Sequence, residues 1–140
     1  MTVMPASLLT AIVTVIALLV FFWTGFRVGG ARGKYDIKAP ATSGHPEFDK
    51  AYRVQMNTLE QIVVFLPLLW LSNAYFHMYP LLTGALGLVW IVGRIIYALA
   101  YQADPSKRSL GFSISILATL GLLITTVIGI VQAWMALSAS

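Results

Sequence analysis

QIVVFLPLLWLSNAYFHMYPLLTGALGLVWIVG, residues 61–93, carries no charged side chain. A bilayer crossing needs about 20 helical residues, so an uncharged run of this length is too long for one span and implies two. The stretch Ser72-Asn73-Ala74-Tyr75-Phe76-His77-Met78-Tyr79-Pro80 supplies the break. Pro80 is suited to open the next helix, and Tyr75 and Tyr79 to the aromatic belt at a membrane surface. Working outward, the run from Met1 to Phe26 is also uncharged. It is longer than the apolar core of a cleavable signal peptide and lacks the basic residues that precede one, so it reads as a first span. Ser109 to Ser140 gives the last. These runs are continuously apolar, whereas the spans of a closed β-barrel would alternate apolar and polar residues, which selects helices. The expected fold is an all-α membrane protein, a single-domain bundle of four transmembrane helices at about residues 4–29, 46–76, 80–103 and 107–137.

Composition excludes several function classes. Of 140 residues, 59% are hydrophobic and 10% charged, against roughly 45–50% and 25% in a soluble domain. Cysteine is absent, which removes disulfides, thiolate metal sites and a protein cysteine nucleophile; any sulfur chemistry must use a substrate's thiol. His45 and His77 are expected on opposite sides of the membrane, each as a solvated interface residue, so no shared metal site is expected. Trp23, Trp70, Trp90 and Trp134 read as packing or lipid-facing rings.

The nine basic residues fall in two places. Arg27, Arg32, Lys34, Lys38, Lys50 and Arg53 surround the first connection, and Arg94, Lys107 and Arg108 flank the third. The positive-inside rule then puts loops one and three in the cytoplasm and both termini on the opposite side. The net charge of +4 is a topology signal and no nucleic-acid surface. The first connection, Gly29 to His45, reads as a loop with no helix of its own. Helix two is expected from Pro46, with Glu47 and Asp49 in its first turn, where the helix dipole favours anions. At about 29 residues and ~43 Å its first turns must project beyond the hydrocarbon. Asp104-Pro105-Ser106 ends helix three and can cap helix four.

Two polar stripes stand out. Arg53, Asn57 and Glu60 are spaced i, i+4 and i+7, so they share one helical face. Only about 16 residues follow Glu60 in its helix, too few to span a bilayer, which places it at or below the cytoplasmic interface. A carboxylate there is costly unless paired or bonded to a ligand. Arg94, Tyr97 and Tyr101, spaced i, i+3 and i+7, form a matching stripe on helix three, with Arg108 following in the third connection. If both stripes face one pocket, guanidinium groups there can fork onto ligand carboxylates and Glu60 can accept from an amine. From spacing alone, Arg53, Asn57 and Glu60 also read as a local ion pair anchoring a helix, and Tyr97 and Tyr101 as belt residues.

These residues resemble the MAPEG family, the membrane-associated proteins of eicosanoid and glutathione metabolism. The resemblance begins at Ala31-Arg32-Gly33-Lys34-Tyr35 and passes through Thr42-Ser43-Gly44-His45-Pro46-Glu47-Phe48 into Arg53-Val54-Gln55-Met56-Asn57-Thr58-Leu59-Glu60. It resumes at Gly93-Arg94-Ile95-Ile96-Tyr97-Ala98-Leu99-Ala100-Tyr101 and ends at Arg108-Ser109-Leu110-Gly111-Phe112. The resemblance implies a homotrimer that binds glutathione, as co-substrate and without a metal, in cytoplasm-facing clefts between subunits. It implies Arg53, Asn57, Glu60, Tyr97 and Tyr101 as glutathione-holding residues of one subunit, Arg32 and Gln55 as contributions across the interface, and Arg94 in support. Arg108 matches the arginine that holds and activates the thiolate, with Tyr101 as a second candidate donor to sulfur.

The implied activity is a membrane glutathione transferase acting on hydrophobic electrophiles drawn from the lipid, with reduction of lipid hydroperoxides as a second outlet. Gly33 and Gln61 stand where the leukotriene-forming branch has an arginine and a tyrosine, which points away from leukotriene synthesis. Glu60 stands where the lipoxygenase-activating branch typically lacks its carboxylate. The alternative is a non-catalytic trimeric lipid-binding or scaffold protein of the same fold. A small multidrug transporter would want an unpaired carboxylate in helix one, which is uncharged here. With three residues beyond the last apolar stretch and no retention signal, the expected home is a bacterial inner membrane.

Overall fold

The computed structural model describes residues 4–140. Four helices, α1 (Ala6–Tyr35), α2 (Pro46–Tyr75), α3 (Leu82–Ala103) and α4 (Ser109–Ser138), account for most of the chain, with a 3₁₀ turn at Pro105–Lys107. Each of the four is long and apolar enough to cross a membrane, and the described residues contain no strand. The helices form one bundle. α2 and α3 each pack on both outer helices, while α1 and α4 occupy opposite corners.

The helix ends correct the sequence reading in three places. The segment from Gly29 is helical as far as Tyr35 and is not a loop. Glycine inside a helix costs about 1 kcal/mol relative to alanine, but packing overrides this. Val28 is buried, the Tyr35 ring lies flat on His45 at 3.8 Å, and the Arg32 guanidinium sits 4.9 Å from the Phe48 ring. α1 stops at Asp36, whose left-handed backbone lets its N–H bond to the Arg32 carbonyl. His45 is correspondingly no free interface residue: its Nδ1 accepts the Glu47 N–H at 3.1 Å and caps α2, with Pro46 preset for the first helical position.

α3 begins at Leu82 and not at Pro80, because Pro80 lies inside a turn closed by the Leu82 N–H on the Tyr79 carbonyl at 3.1 Å. α4 begins at Ser109 and not at 107, because the side chain of Asp104 caps the preceding 3₁₀ turn.

The core is built on the inner faces. Phe65 of α2 and Trp90 of α3 stack at 4.0 Å with planes 3° apart, surrounded by buried Val13, Ala17, Leu69 and Leu122. Lipid tails give helices no hydrophobic reason to associate, so close packing and polar bonds must hold them together. Small residues supply the first: a Cβ at Gly111 would collide with the backbone of Tyr97, so α4 sits directly against α3 there. Hydroxyls supply the second. Ser72 lies 2.6 Å from Thr83 and 2.7 Å from Thr125, which donates to the Leu122 carbonyl at 3.0 Å. Since Thr125 has one proton to give, the donation runs from Thr83 to Ser72 to Thr125 to Leu122. Outward, Leu19, Val63, Leu99 and Leu117 are exposed, a surface suited to lipid.

Candidate active site

At the charged end of the bundle, α2, α3 and the start of α4 enclose a cleft of about 420 Å³ lined by Arg53, Asn57, Tyr97, Tyr101, Arg108 and Phe112. Helical spacing puts Arg53 and Asn57 on one face of α2 and Tyr97 and Tyr101 on one face of α3. The two phenol rings lie 5.6 Å apart, and Tyr97 lies 6.4 Å from Phe112. α4 contributes through its first turn, where Arg108 and Phe112 are spaced i, i+4.

Arg108 is positioned by the turn that precedes it. The Asp104 carboxylate accepts the Ser106 N–H at 3.0 Å and its hydroxyl at 2.8 Å. These bonds, the hydroxyl's first, hold the Asp104 carboxyl below the usual carboxylate range. The Arg108 guanidinium makes only a long contact, 3.4 Å, to the Pro105 carbonyl. It is exposed and free to meet an anion.

Beneath the cleft lies Arg94, 1% exposed. Its Nη2 donates to Asn57 Oδ1 and to Thr58 Oγ1, each at 2.9 Å, and Thr58 passes its own proton to the Val54 carbonyl at 2.8 Å. The guanidinium carbon stands 4.3 Å from the Tyr97 ring centroid. Buried there, Arg94 orients the Asn57 amide from behind, leaving the Asn57 NH₂ group for whatever enters the cleft.

The sequence-derived set is thus divided. Arg53, Asn57, Tyr97, Tyr101 and Arg108 meet in the cleft. Glu60 stays at the rim, paired with Arg53 at 3.2 Å, both side chains about half exposed (51% and 54%). Arg94 supports the wall from inside. Arg32 and Gln55 lie outside this cleft of the single chain: Arg32 donates to the Ala41 carbonyl at 2.8 Å, and the Gln55 amide approaches Gly25 of α1. Phe112 and Thr58 are additions. Phe112 was readable from its position one turn after Arg108; nothing in the spacing marks Thr58 as a partner of Arg94. Among the described residues no cluster of His, Asp, Glu or Cys is placed to hold a metal ion.

Four apolar helices closing on a cationic, phenol-lined cleft at one end define an integral membrane protein. More specifically, the chain belongs to the MAPEG family, whose sequence model matches residues 10–128. It is 39% identical over 120 residues to an uncharacterised protein of Synechocystis sp., covering 86% of each chain. It is 38% identical over 119 residues to human microsomal glutathione S-transferase 2, covering 84% of this chain and 80% of the relative. Bovine leukotriene C4 synthase is 32% identical over 100 residues, 71% of this chain and 65% of that enzyme.

Proposed function

We propose that this protein is a membrane glutathione transferase, joining the thiolate of glutathione to hydrophobic electrophiles. The observation that carries the reading is the cleft itself: Arg53 and Arg108 face Asn57, Tyr97 and Tyr101 across one opening. The transferase relatives support the same chemistry. Glutathione carries two carboxylates and an ammonium, which suit guanidinium forks and the Glu60 carboxylate respectively. A free thiol titrates near 8.5, so at neutral pH most of it is unreactive. A fixed guanidinium beside sulfur favours the anion. Arg108 fills that role as an electrostatic activator and not as a base, since guanidinium groups carry donors only and no acceptor; Tyr101 is the second candidate donor to the sulfur.

The conjugation step balances simply. The thiol proton leaves to solvent, the sulfur lone pair forms a bond to the electrophilic carbon, and the leaving group departs with its bonding pair. With a lipid hydroperoxide, two glutathione thiols give up two electrons and two protons, and the products are a disulfide, an alcohol and water. The electrophile arrives from the bilayer and glutathione from the cytoplasm, with loops one and three on that side. Arg32 and Gln55, which point away from their own chain's cleft, serve the cleft of a neighbouring copy in a homotrimer.

Purified protein given glutathione and chlorodinitrobenzene, or cumene hydroperoxide, turns over on this account, and Arg108→Ala loses most of the rate. Absence of turnover with both substrates, together with no glutathione binding by calorimetry, sinks the proposal.

A further inference from the structure

A second depression at the charged end shares no lining residue with the cleft. Arg27, Gly30 and Lys34 of α1, Glu47 and Ala51 of α2 and Gln102 of α3 surround about 280 Å³. Further along the same helix, Ile16, Leu19, Val20 and Trp23 form, with Ile95 of α3, an apolar pocket of about 300 Å³. The α1 residues of both run 16, 20, 23, 27, 30 and 34 at steps of three or four, with Leu19 beside Val20, so they make one stripe on one helical face. Arg27 joins the halves, its guanidinium carbon 5.0 Å from the Trp23 ring centroid. The result is a groove with a cationic head and an apolar tail.

The head has unmet bonding needs. Glu47 is already engaged, accepting from Lys50 at 2.9 Å and from Gln102 Nε2 at 3.1 Å. Arg27 and Lys34 form no ion pair among the described residues. Arg27 Nη1, a donor, and Gln102 Oε1, an acceptor, are buried atoms without a hydrogen-bond partner among the described residues. Such atoms are rare in folded proteins because each forfeits its hydration. What satisfies both is a ligand with an anionic oxygen and a hydroxyl close together. Gly30 keeps the space open: no atom lies within 4 Å of where its Cβ would be.

We propose that this groove binds an anionic glycerophospholipid with a hydroxylated headgroup, of the phosphatidylglycerol type. The phosphate lies on Arg27 and Lys34, the headgroup hydroxyl donates to Gln102 Oε1, and an acyl chain runs past Trp23 toward Ile16 and Ile95. A choline headgroup brings no hydroxyl donor and sets a second cation beside Arg27, so it fits poorly.

Native mass spectrometry of the purified protein in detergent, titrated with phosphatidylglycerol or phosphatidylcholine of the same acyl chains, tests the assignment. Phosphatidylglycerol should be retained about tenfold more tightly, the effect of roughly one hydrogen bond and of leaving out the second cation. Gly30→Leu adds bulk to the groove from a position where a Cβ would have no atom within 4 Å, and its higher helix propensity should preserve the melting temperature. Gly30→Leu and Arg27→Gln should each bring phosphatidylglycerol down to the phosphatidylcholine level and leave glutathione binding unchanged. Equal retention of the two lipids, or full retention by both variants, overturns the proposal. So does competition by headgroup glycerophosphoglycerol, without chains, at the same concentration as the lipid.

Discussion

The two ends of the bundle are tied by different kinds of polar bond, each reaching between α2 and α3 and the first also to α4. At one end Ser72, Thr83 and Thr125 form a chain of neutral hydroxyls in which every proton has a destination. At the other, Arg94 bonds Asn57 and Thr58, yet its Nε and Nη1 are buried without partners among the described residues. The first network is closed, with every hydroxyl proton spent within it. The second holds helices while setting charge and an oriented amide beneath an opening, an arrangement no packing requirement would select, since a buried guanidinium is costly to desolvate. The difference separates structure from function better than polarity does.

If that contrast is right, the largest effect of any single change comes at the rim of the charged end. Arg108→Ala should lower turnover with glutathione and chlorodinitrobenzene about 10²–10³-fold, the usual loss on removing one preorganised charge-stabilising group. Its melting temperature should barely move, because the side chain is exposed. Next comes Gly111→Leu, which forces α4 off the Tyr97 backbone. Overpacking of this kind costs about 1–3 kcal/mol, so thermal unfolding in detergent should drop and turnover with it. Arg94→Leu leaves Asn57 without its anchor. Calorimetry should show glutathione binding weakened about tenfold, the worth of roughly one hydrogen bond in the cleft, and KM should rise more than kcat falls.

The closed end should answer differently. Ser72→Ala removes the middle hydroxyl of the chain and both of its bonds, and should cost about 1.2 kcal/mol at an average of about 0.6 kcal/mol for each such bond in membrane bundles; turnover should be unchanged. A rate loss there would erase the contrast. The smallest effect concerns Asp104, whose folded carboxyl titrates below its unfolded value. Its contribution is present above about pH 4 and fades as pH falls through the folded value. The melting difference between the parent and Asp104→Ala should therefore shrink on acidification.

How much of this was legible in the sequence depends on the range of the interaction involved. The number of helices was readable because an uncharged run has a fixed length requirement in lipid. The cleft residues were readable because 3.6-residue periodicity places Arg53 with Asn57 and Tyr97 with Tyr101. What spacing left open, tertiary burial shows: Arg94 shares the face of Tyr97 but is covered by α2, and Glu60 pairs with Arg53 at the rim. An exposed pair of that kind is worth under about 1 kcal/mol, weak enough for a ligand to displace. The continuation of α1 past Gly29 was hidden because glycines argue locally for a loop, whereas the anchors that hold the turn, Tyr35 on His45 and Arg32 over Phe48, come from residues beyond it.

The central claim is that the cleft holds glutathione with Arg108 beside its sulfur. It is tested most directly by titrating the ultraviolet absorbance of the thiolate of enzyme-bound glutathione against pH, in the parent and in Arg108→Ala. The parent should show a midpoint well below the free-thiol value of about 8.5, and the variant a midpoint moved back toward it. A bound thiol that titrates at the free value in the parent, or one whose lowered midpoint survives the loss of Arg108, contradicts the account.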